Sequence, residues 1–470
     1  MLPMRLVLWS GVLVPESAGP SLAEKRPLLA VSGEIASPSQ GQAGFVLRPA
    51  GSKQCNGKGI RHADNSGTGR PRVSGRPAIP VYGPALGEEE AANLSECVRS
   101  HQLIHGPFVT RFEQSVAAYV GHAHGVGTNS GTAALHVALR LAGVQAGDEV
   151  LINTLTFIAP ANAIAYLGAH PVFIDAEPET WQLDPAKLRA FIECDCTWDG
   201  ERLINRATGR RVTAIVLVHF LGMSADLDAV CALAGHYRLK LIEDAAQALG
   251  TEYRGRRCGG FAPIGCFSFY GNKLITAGGG GMIVTSDPEL AAKARYLVNQ
   301  AKDDPIETVH HEIGYNYRMT NLHGAIGCAQ YERIEAHIAA KREIAHRYRE
   351  GLGALCGITL VDEPQHAFFT FWLSSIRIDP ALFGMTAREL LAALAPLGIE
   401  TIPLYQPLHR SRAHPGAHRV GGEVAEMLVR ECLSLPSSVN LDRCDQERVI
   451  DAIRALAARQ APPDLRAGAA

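Results

Sequence analysis

Lys273 lies between a short aromatic run and four consecutive glycines, in Cys266-Phe-Ser-Phe-Tyr-Gly-Asn-Lys273-Leu-Ile-Thr-Ala-Gly278-Gly-Gly-Gly281. A lysine held where burial favours its neutral form is a carbonyl-reactive amine. The apolar run Cys266 to Tyr270 predicts a buried strand and Gly271-Asn272 a turn, which places Lys273 at a strand end. The glycines beyond it let the backbone approach a ligand closely. Upstream, Leu241-Ile-Glu-Asp244-Ala-Ala-Gln247 reads as an apolar strand ending in a carboxylate and a carboxamide. Earlier still, Gly127-Thr-Asn-Ser-Gly131-Thr132-Ala-Ala-Leu135 is a Ser/Gly/Thr turn opening an Ala/Leu-rich helix. Such a turn offers free backbone N–H groups at a helix N-terminus, which suit a phosphate. Alone, the lysine reads as a surface residue and the aspartate as a helix cap. Together and in this order they are the parts that pyridoxal 5'-phosphate (PLP) requires: amine, ring-nitrogen acid and phosphate cradle.

The elements that must hold these groups follow from the pattern around them. Val150 to Asn153, Pro171 to Asp175, Thr213 to Val218, Lys240 to Asp244 and Met282 to Thr285 are short β-branched runs. Helical stretches such as Ala159 to Leu167 and Asp226 to Tyr237 separate several of them. Strands alternating with helices predict an α/β fold, a mostly parallel sheet with helices on both faces. In such sheets ligands collect at the carboxyl ends of the strands, where Asp244 falls. Two helices precede this region: one from Gly87, with Glu88-Glu-Glu90 in its first turn, and one from Val109 to Val120. A charged helix from Tyr331 to Tyr348 leads into a smaller C-terminal α/β domain. Its expected strands are Ile358 to Val361 and Phe371 to Ile378, with helices at Thr386 to Leu397 and Asp445 to Ala458.

From about Ile79 to about Ala457 the chain resembles the PLP-dependent nucleotide-sugar aminotransferases of the DegT/DnrJ/EryC1/StrS family. Within it, four stretches are similar to the branch that aminates UDP-linked 4-keto-6-deoxy-N-acetyl sugars of the bacillosamine or legionaminic acid type. These are Thr154-Leu-Thr-Phe157-Ile-Ala-Pro-Ala-Asn-Ala, Phe269-Tyr-Gly-Asn-Lys273-Leu-Ile-Thr, Gln300-Ala-Lys-Asp-Asp304 and Gly314-Tyr-Asn316-Tyr-Arg318-Met-Thr-Asn321. The resemblance implies a fold-type I aminotransferase with L-glutamate as amino donor and a nucleotide-linked keto sugar as acceptor. It makes Lys273 the residue bonded to the cofactor and Asp244 the partner of the pyridine nitrogen. Gln247 would contact the 3'-oxygen, while Ser268, Gly131 and Thr132 would bind the phosphate. Phe157 falls where the family stacks an aromatic on the pyridine face, with core packing as the other reading. Asn316 matches an asparagine that reaches the phosphate of the neighbouring subunit, which implies a homodimer with shared active sites. His219, Tyr405 and His409 are candidates for the sugar-nucleotide surface, with structural roles open for the histidines. One departure stands out: Ala277 replaces a hydroxyl residue of the family's Thr-Gly-Glu-Gly-Gly pattern, which puts one local hydrogen bond in doubt.

The 470 residues carry a net charge of −2, which gives no electrostatic case for a nucleic-acid partner. No apolar run approaches the roughly 20 residues needed to span a bilayer, so no membrane partner is expected. Eleven scattered cysteines suggest reduced thiols and a cytoplasmic protein. Cys194-Asp-Cys196 has the wrong spacing for zinc, and no metal is expected. The Gly/Ser/Pro/Arg-rich residues 1–76 read as a disordered extension or as sequence upstream of the true start, without a catalytic role. Four divisions result: residues 1–76, a large domain at 77–330, a smaller one at 331–461 and a frayed tail at 462–470. Among rival activities, a related GDP- or dTDP-linked keto sugar is the nearest. A PLP-dependent sugar 3-dehydratase would carry histidine at position 273. A dinucleotide site would need its glycines before a helix rather than after the lysine. The non-enzymatic alternative is a PLP- or sugar-binding regulatory protein.

Overall fold

The computed structural model describes residues 72–73, 76–304 and 306–460. The expectations for residues 1–76 fall almost wholly outside the described residues, as does the tail at 462–470. Seven strands form the central sheet: β1 His124–Thr128, β2 Glu149–Asn153, β3 His170–Ile174, β4 Arg211–Val218, β5 Lys240–Asp244, β6 Ile264–Ser268 and β7 Gly281–Thr285. Their order is β3-β2-β4-β5-β6-β7-β1, and a short strand, Arg419–Val420, pairs in parallel with β3. β7 runs opposite in direction to the other six strands of this row.

Alternation along the strands explains why both faces are covered. After α1 (Glu88–Arg99), Leu151, Ile215 and Leu217 enter one core with Phe112 and Val116 of α2 (Pro107–Val120), Leu188 of α5 (Pro185–Ala190), and Leu227 and Val230 of α6 (Leu227–His236). Val150, Ile152, Ala214 and Val216 enter the other, with Leu135 of α3 (Gly131–Leu141), Ile164 of α4 (Ala159–Tyr166) and Leu297 of α7 (Pro288–Val298). Successive residues point to opposite faces, so an all-apolar strand needs a helix layer on each. The predicted architecture is the one observed.

Beyond α8 (Asn321–Glu332) and α9 (Ile334–Leu352), a second, antiparallel sheet joins Ile358–Leu360, Ser375–Ile378, Cys432–Ser434 and Ile402–Pro403. Ile344 and Tyr348 of α9, Leu390, and Val449 and Ile453 of the helix Arg443–Gln460 cover it. The expected helix from Tyr331 to Tyr348 is thus two helices, parted where Arg333 leaves helical geometry at φ −107°. The expected strand from Phe371 begins only at Ser375. Phe371 instead adopts φ +48°, and the chain turns there to meet Gly222. An antiparallel hairpin, Cys196–Trp198 with Leu203–Asn205, extends from the start of β4 and was not foreseen.

Candidate active site

Three chain segments converge to make an anion cradle. β1 delivers Ser130, whose hydroxyl caps α3 by accepting from the Ala133 N–H at 3.1 Å. The next N–H groups, of Gly131 and Thr132, lie in the first turn, where a helix offers no acceptor. Ser268 ends β6 directly opposite: a Cβ on Gly131 would sit 2.8 Å from the Ser268 Cβ. β7 closes the third side, since a Cβ on Gly281 would lie 2.6 Å from the Gly131 nitrogen. Glycine at both positions is therefore a packing requirement. The hydroxyls of Thr132 and Ser268 have no hydrogen-bond partner among the described residues, so both remain free to bind an anion.

The strand holding Lys273 stops earlier than its composition suggests. β6 ends at Ser268, Phe269 donates its N–H to the Gly280 carbonyl at 3.0 Å, and the Phe269 ring packs 4.7 Å from that of Phe112. Lys273 follows in a turn closed by its own N–H to the Tyr270 carbonyl at 3.0 Å. The doubtful hydrogen bond near Ala277 is supplied one residue earlier. The Thr276 hydroxyl accepts from Gly278 N–H at 2.9 Å and donates to the Phe269 carbonyl at 3.2 Å.

Solvent reaches only part of Lys273, and loss of hydration brings its amine down to about 8 against the opposing pull of Asp244. Asp244 ends β5 with 4% exposure. Burial pushes its carboxyl up, while the Ala246 N–H and the Lys273 charge pull it down. One of its oxygens accepts from Ala246 at 3.1 Å, and the other has no protein donor. Gln247 spends its carbonyl oxygen on the Leu221 N–H at 2.8 Å, which leaves its NH₂ free to donate. A buried carboxylate short of a donor, a carboxamide short of an acceptor and an open cradle fit the nitrogen, phenolic oxygen and phosphate of PLP.

The remaining expected residues divide. Phe157, in the loop after β2, is 51% exposed, which removes the core-packing reading; its ring lies 5.4 Å from that of Tyr405. Tyr405 is part-buried, and burial pushes its phenol up to about 12. Asn316 is exposed, its carbonyl accepting from Asn129 of the same chain at 3.3 Å and its carboxamide unpartnered.

The two histidines offered as substrate contacts are corrected. His219 is fully buried: its Nδ1 accepts from the Ala225 N–H at 3.2 Å, and its Nε2 meets Glu243 at 3.0 Å. A backbone donor on Nδ1 requires a lone pair there, so the ring proton sits on Nε2. His409 is likewise enclosed, bridging the Thr154 hydroxyl at 2.7 Å and Glu426 at 3.0 Å. Both rings are struts with no nitrogen left for a sugar nucleotide.

Two residues escaped the sequence reading. Glu243 is buried behind Asp244, where the N–H groups of Gly259, Phe261 and Ala262 reach it at 2.7 Å each. Burial would raise its pKa, but the His219 bond and these donors lower it. The period-two rule signalled it: with Asp244 facing the site, Glu243 must face the other side of a buried strand. Trp372 lies with its ring centroid 4.5 Å from the Lys273 amine. Its place inside an apparent strand, Phe371 to Ile378, hid it.

A sequence model of the DegT/DnrJ/EryC1/StrS aminotransferase family matches residues 84–454. The chain belongs to that family. It is 38% identical over 387 residues to the GDP-perosamine synthase of Caulobacter vibrioides, covering 81% of this chain and 99% of that one. It is 34% identical over 399 residues to the dTDP-3-amino-3,4,6-trideoxy-alpha-D-glucose transaminase of Streptomyces venezuelae, covering 83% and 97%. The aminotransferase TlmJ from Streptoalloteichus hindustanus superposes with a TM-score of 0.74 at 30% identity, over 82% of this chain and all of that one. This DegT/DnrJ/EryC1/StrS member is therefore a PLP-dependent sugar aminotransferase, and the residues above fit the cofactor that its family uses. No helix among the described residues is long and apolar enough to cross a membrane.

Proposed function

We propose that the protein transfers the amino group of L-glutamate to a nucleotide-linked 4-keto-6-deoxy sugar, UDP-4-keto-6-deoxy-N-acetylglucosamine in type, for surface-glycan biosynthesis in the cytoplasm. The observation that carries the reading is the convergence of the Lys273 amine, the Asp244 carboxylate, the free Gln247 amide and the Gly131 cradle at one end of the sheet. PLP, when bound, supplies an aldehyde that takes up amino groups and a ring that withdraws electrons from the carbon losing its proton. Lys273 takes and returns that proton, a task suited to an amine that burial brings down to about 8. Asp244 keeps the ring nitrogen protonated, and Gln247 orients the ring from its oxygen side. Gly131, Thr132 and Ser268 anchor the phosphate, Phe157 stacks on the pyridine face, and Tyr405 faces the sugar nucleotide.

The similarity to a GDP-perosamine synthase supports a second nucleotide, GDP. A panel of UDP-, GDP- and dTDP-linked keto sugars, assayed for 2-oxoglutarate release and product mass, tests both. Preferred amination of the UDP-linked 4-keto sugar is expected. Turnover of the GDP-linked sugar alone moves the protein to the perosamine type, and transfer to no 4-keto sugar overturns the reading.

The homodimeric part of this reading assigns the unpartnered Asn316 carboxamide to the phosphate of the neighbouring subunit, where an NH₂ donates without adding charge. Lys273→Ala and Asn316→Asp, each inactive or nearly so, are then expected to complement when mixed and allowed to exchange subunits. In the mixed dimer one site carries both defects and the other carries neither. If Asn316 serves its own chain, every mixed site keeps a defect, and activity fails to return despite demonstrated exchange.

A further inference from the structure

We propose that Trp372 is a positioning residue for Lys273, its indole face receiving the amine whenever that amine is not bonded to the cofactor. The proposal rests on the reading of Lys273 as the reacting amine. The amine nitrogen stands 4.5 Å from the ring centroid, within the range where a cation is drawn to an aromatic face.

The ring is held there by several constraints. Its Nε1–H donates at 2.7 Å to the carbonyl of Asn272, the residue immediately before the lysine, so ring and amine share one anchor. The Trp372 carbonyl accepts at 2.8 Å from the Nζ of Lys341, a buried residue of α9 that also donates to the Ser437 carbonyl. On the other side, a Cβ on Gly222 would lie 2.5 Å from the Trp372 nitrogen. The turn carrying Gly222 also holds Leu221, whose N–H binds Gln247. Phe371, just before the tryptophan, is held at φ +48°. An aromatic residue in the left-handed region is strained, and such strain gathers where geometry serves function. Trp372 itself is 1% exposed, so the face it offers the lysine is dry.

The chemistry explains the use of such a face. A free lysine has four rotatable bonds and would wander between turnovers. Asp244 already draws the amine up and, in the proposed function, is engaged by the ring nitrogen; a second carboxylate beside the amine would lock it as an ammonium. An aromatic face attracts the protonated amine more weakly and accepts no proton from it, so the lysine stays near and can still give the proton back.

The test uses the holoenzyme kept with excess L-glutamate, in which the cofactor carries the amino group and Lys273 is free. Trace acetylation of Lys273 with acetic anhydride across pH, read by peptide mass, gives the titration midpoint of that amine. Trp372→Leu should lower the midpoint by about one pH unit, because a cation–aromatic contact favours the charged form. Trp372→Phe, which retains a ring, should lie between Leu and wild type. Site-specific replacement of Trp372 by mono-, di- and trifluorotryptophan preserves shape while draining the face of electron density. The midpoint should then fall stepwise, with kcat falling and KM little changed. A midpoint that stays put through the fluorinated series overturns the proposal, even if Trp372→Leu is inactive or fails to fold. Borohydride reduction of the wild-type holoenzyme, followed by peptide mapping, tests the underlying reading separately: a tag on another lysine removes Lys273 itself.

Discussion

Lys273→Ala abolishes amino transfer, with a loss of at least about 10⁴-fold, the upper range for removing a positioned acid–base group. The expected loss is this large because, in the proposed function, the residue both bonds the cofactor and moves the proton. Lys341, a lysine buried more deeply than Lys273, provides a control. Burial brings Lys341 to about 7, so it too is chemically able, but its amine is spent on the carbonyls of Trp372 and Ser437. Reduction of the wild-type holoenzyme with borohydride should tag Lys273 and leave Lys341 unmodified. The variant should fold, because its lost side chain makes no hydrogen bond that the backbone turn at Tyr270 depends on. Retained turnover, or a tag on Lys341, would sink the assignment.

Asp244→Asn should lower kcat by roughly 10²- to 10³-fold, the size of effect seen on removing one preorganised electrostatic group. The amide cannot hold a proton on the pyridine nitrogen. The fold should survive, since an asparagine oxygen still accepts from the Ala246 N–H that Asp244 serves. A second consequence has a definite sign. Asp244 holds the Lys273 amine up from a still lower value, so its loss moves that amine below about 8. Wild-type kcat in the asparagine variant, measured with saturating glutamate and cofactor, would remove Asp244 from the mechanism.

The sheet was legible because its strands are apolar on both faces and separated by helices, a pattern few other architectures satisfy. The candidate cofactor residues were legible as a group because Lys273, Asp244, Gln247, Ser268 and Gly131 lie in short local motifs. What failed was what depends on distant contacts. Cys266 to Tyr270 reads as one strand, yet Phe269 leaves it to bond Gly280 and pack on Phe112. For His219 and His409, residue type does not choose between a substrate contact and a structural role, because it does not reveal that Glu243 and Glu426 stand beside them. Trp372 is far from Lys273 in the chain, and its bond to the Asn272 carbonyl, beside the turn at Phe371, belongs to the tertiary fold.

The place of β1 in the sheet bears on how the protein comes into being. The first of the seven strands to be made pairs with the last, Thr128 opposite Gly281, at the edge of the row. That pairing closes a long loop, and contacts of such separation form late. The cradle depends on it, because Gly131 gains its neighbours Ser268 and Gly281 only when β1 docks. A folding chain is therefore expected to hold Asp244 and Lys273 in a nearly complete sheet before it can grip a phosphate. In refolding from denaturant, far-ultraviolet dichroism should recover first and cofactor absorbance later. Simultaneous recovery of the two would mean that the first strand docks early.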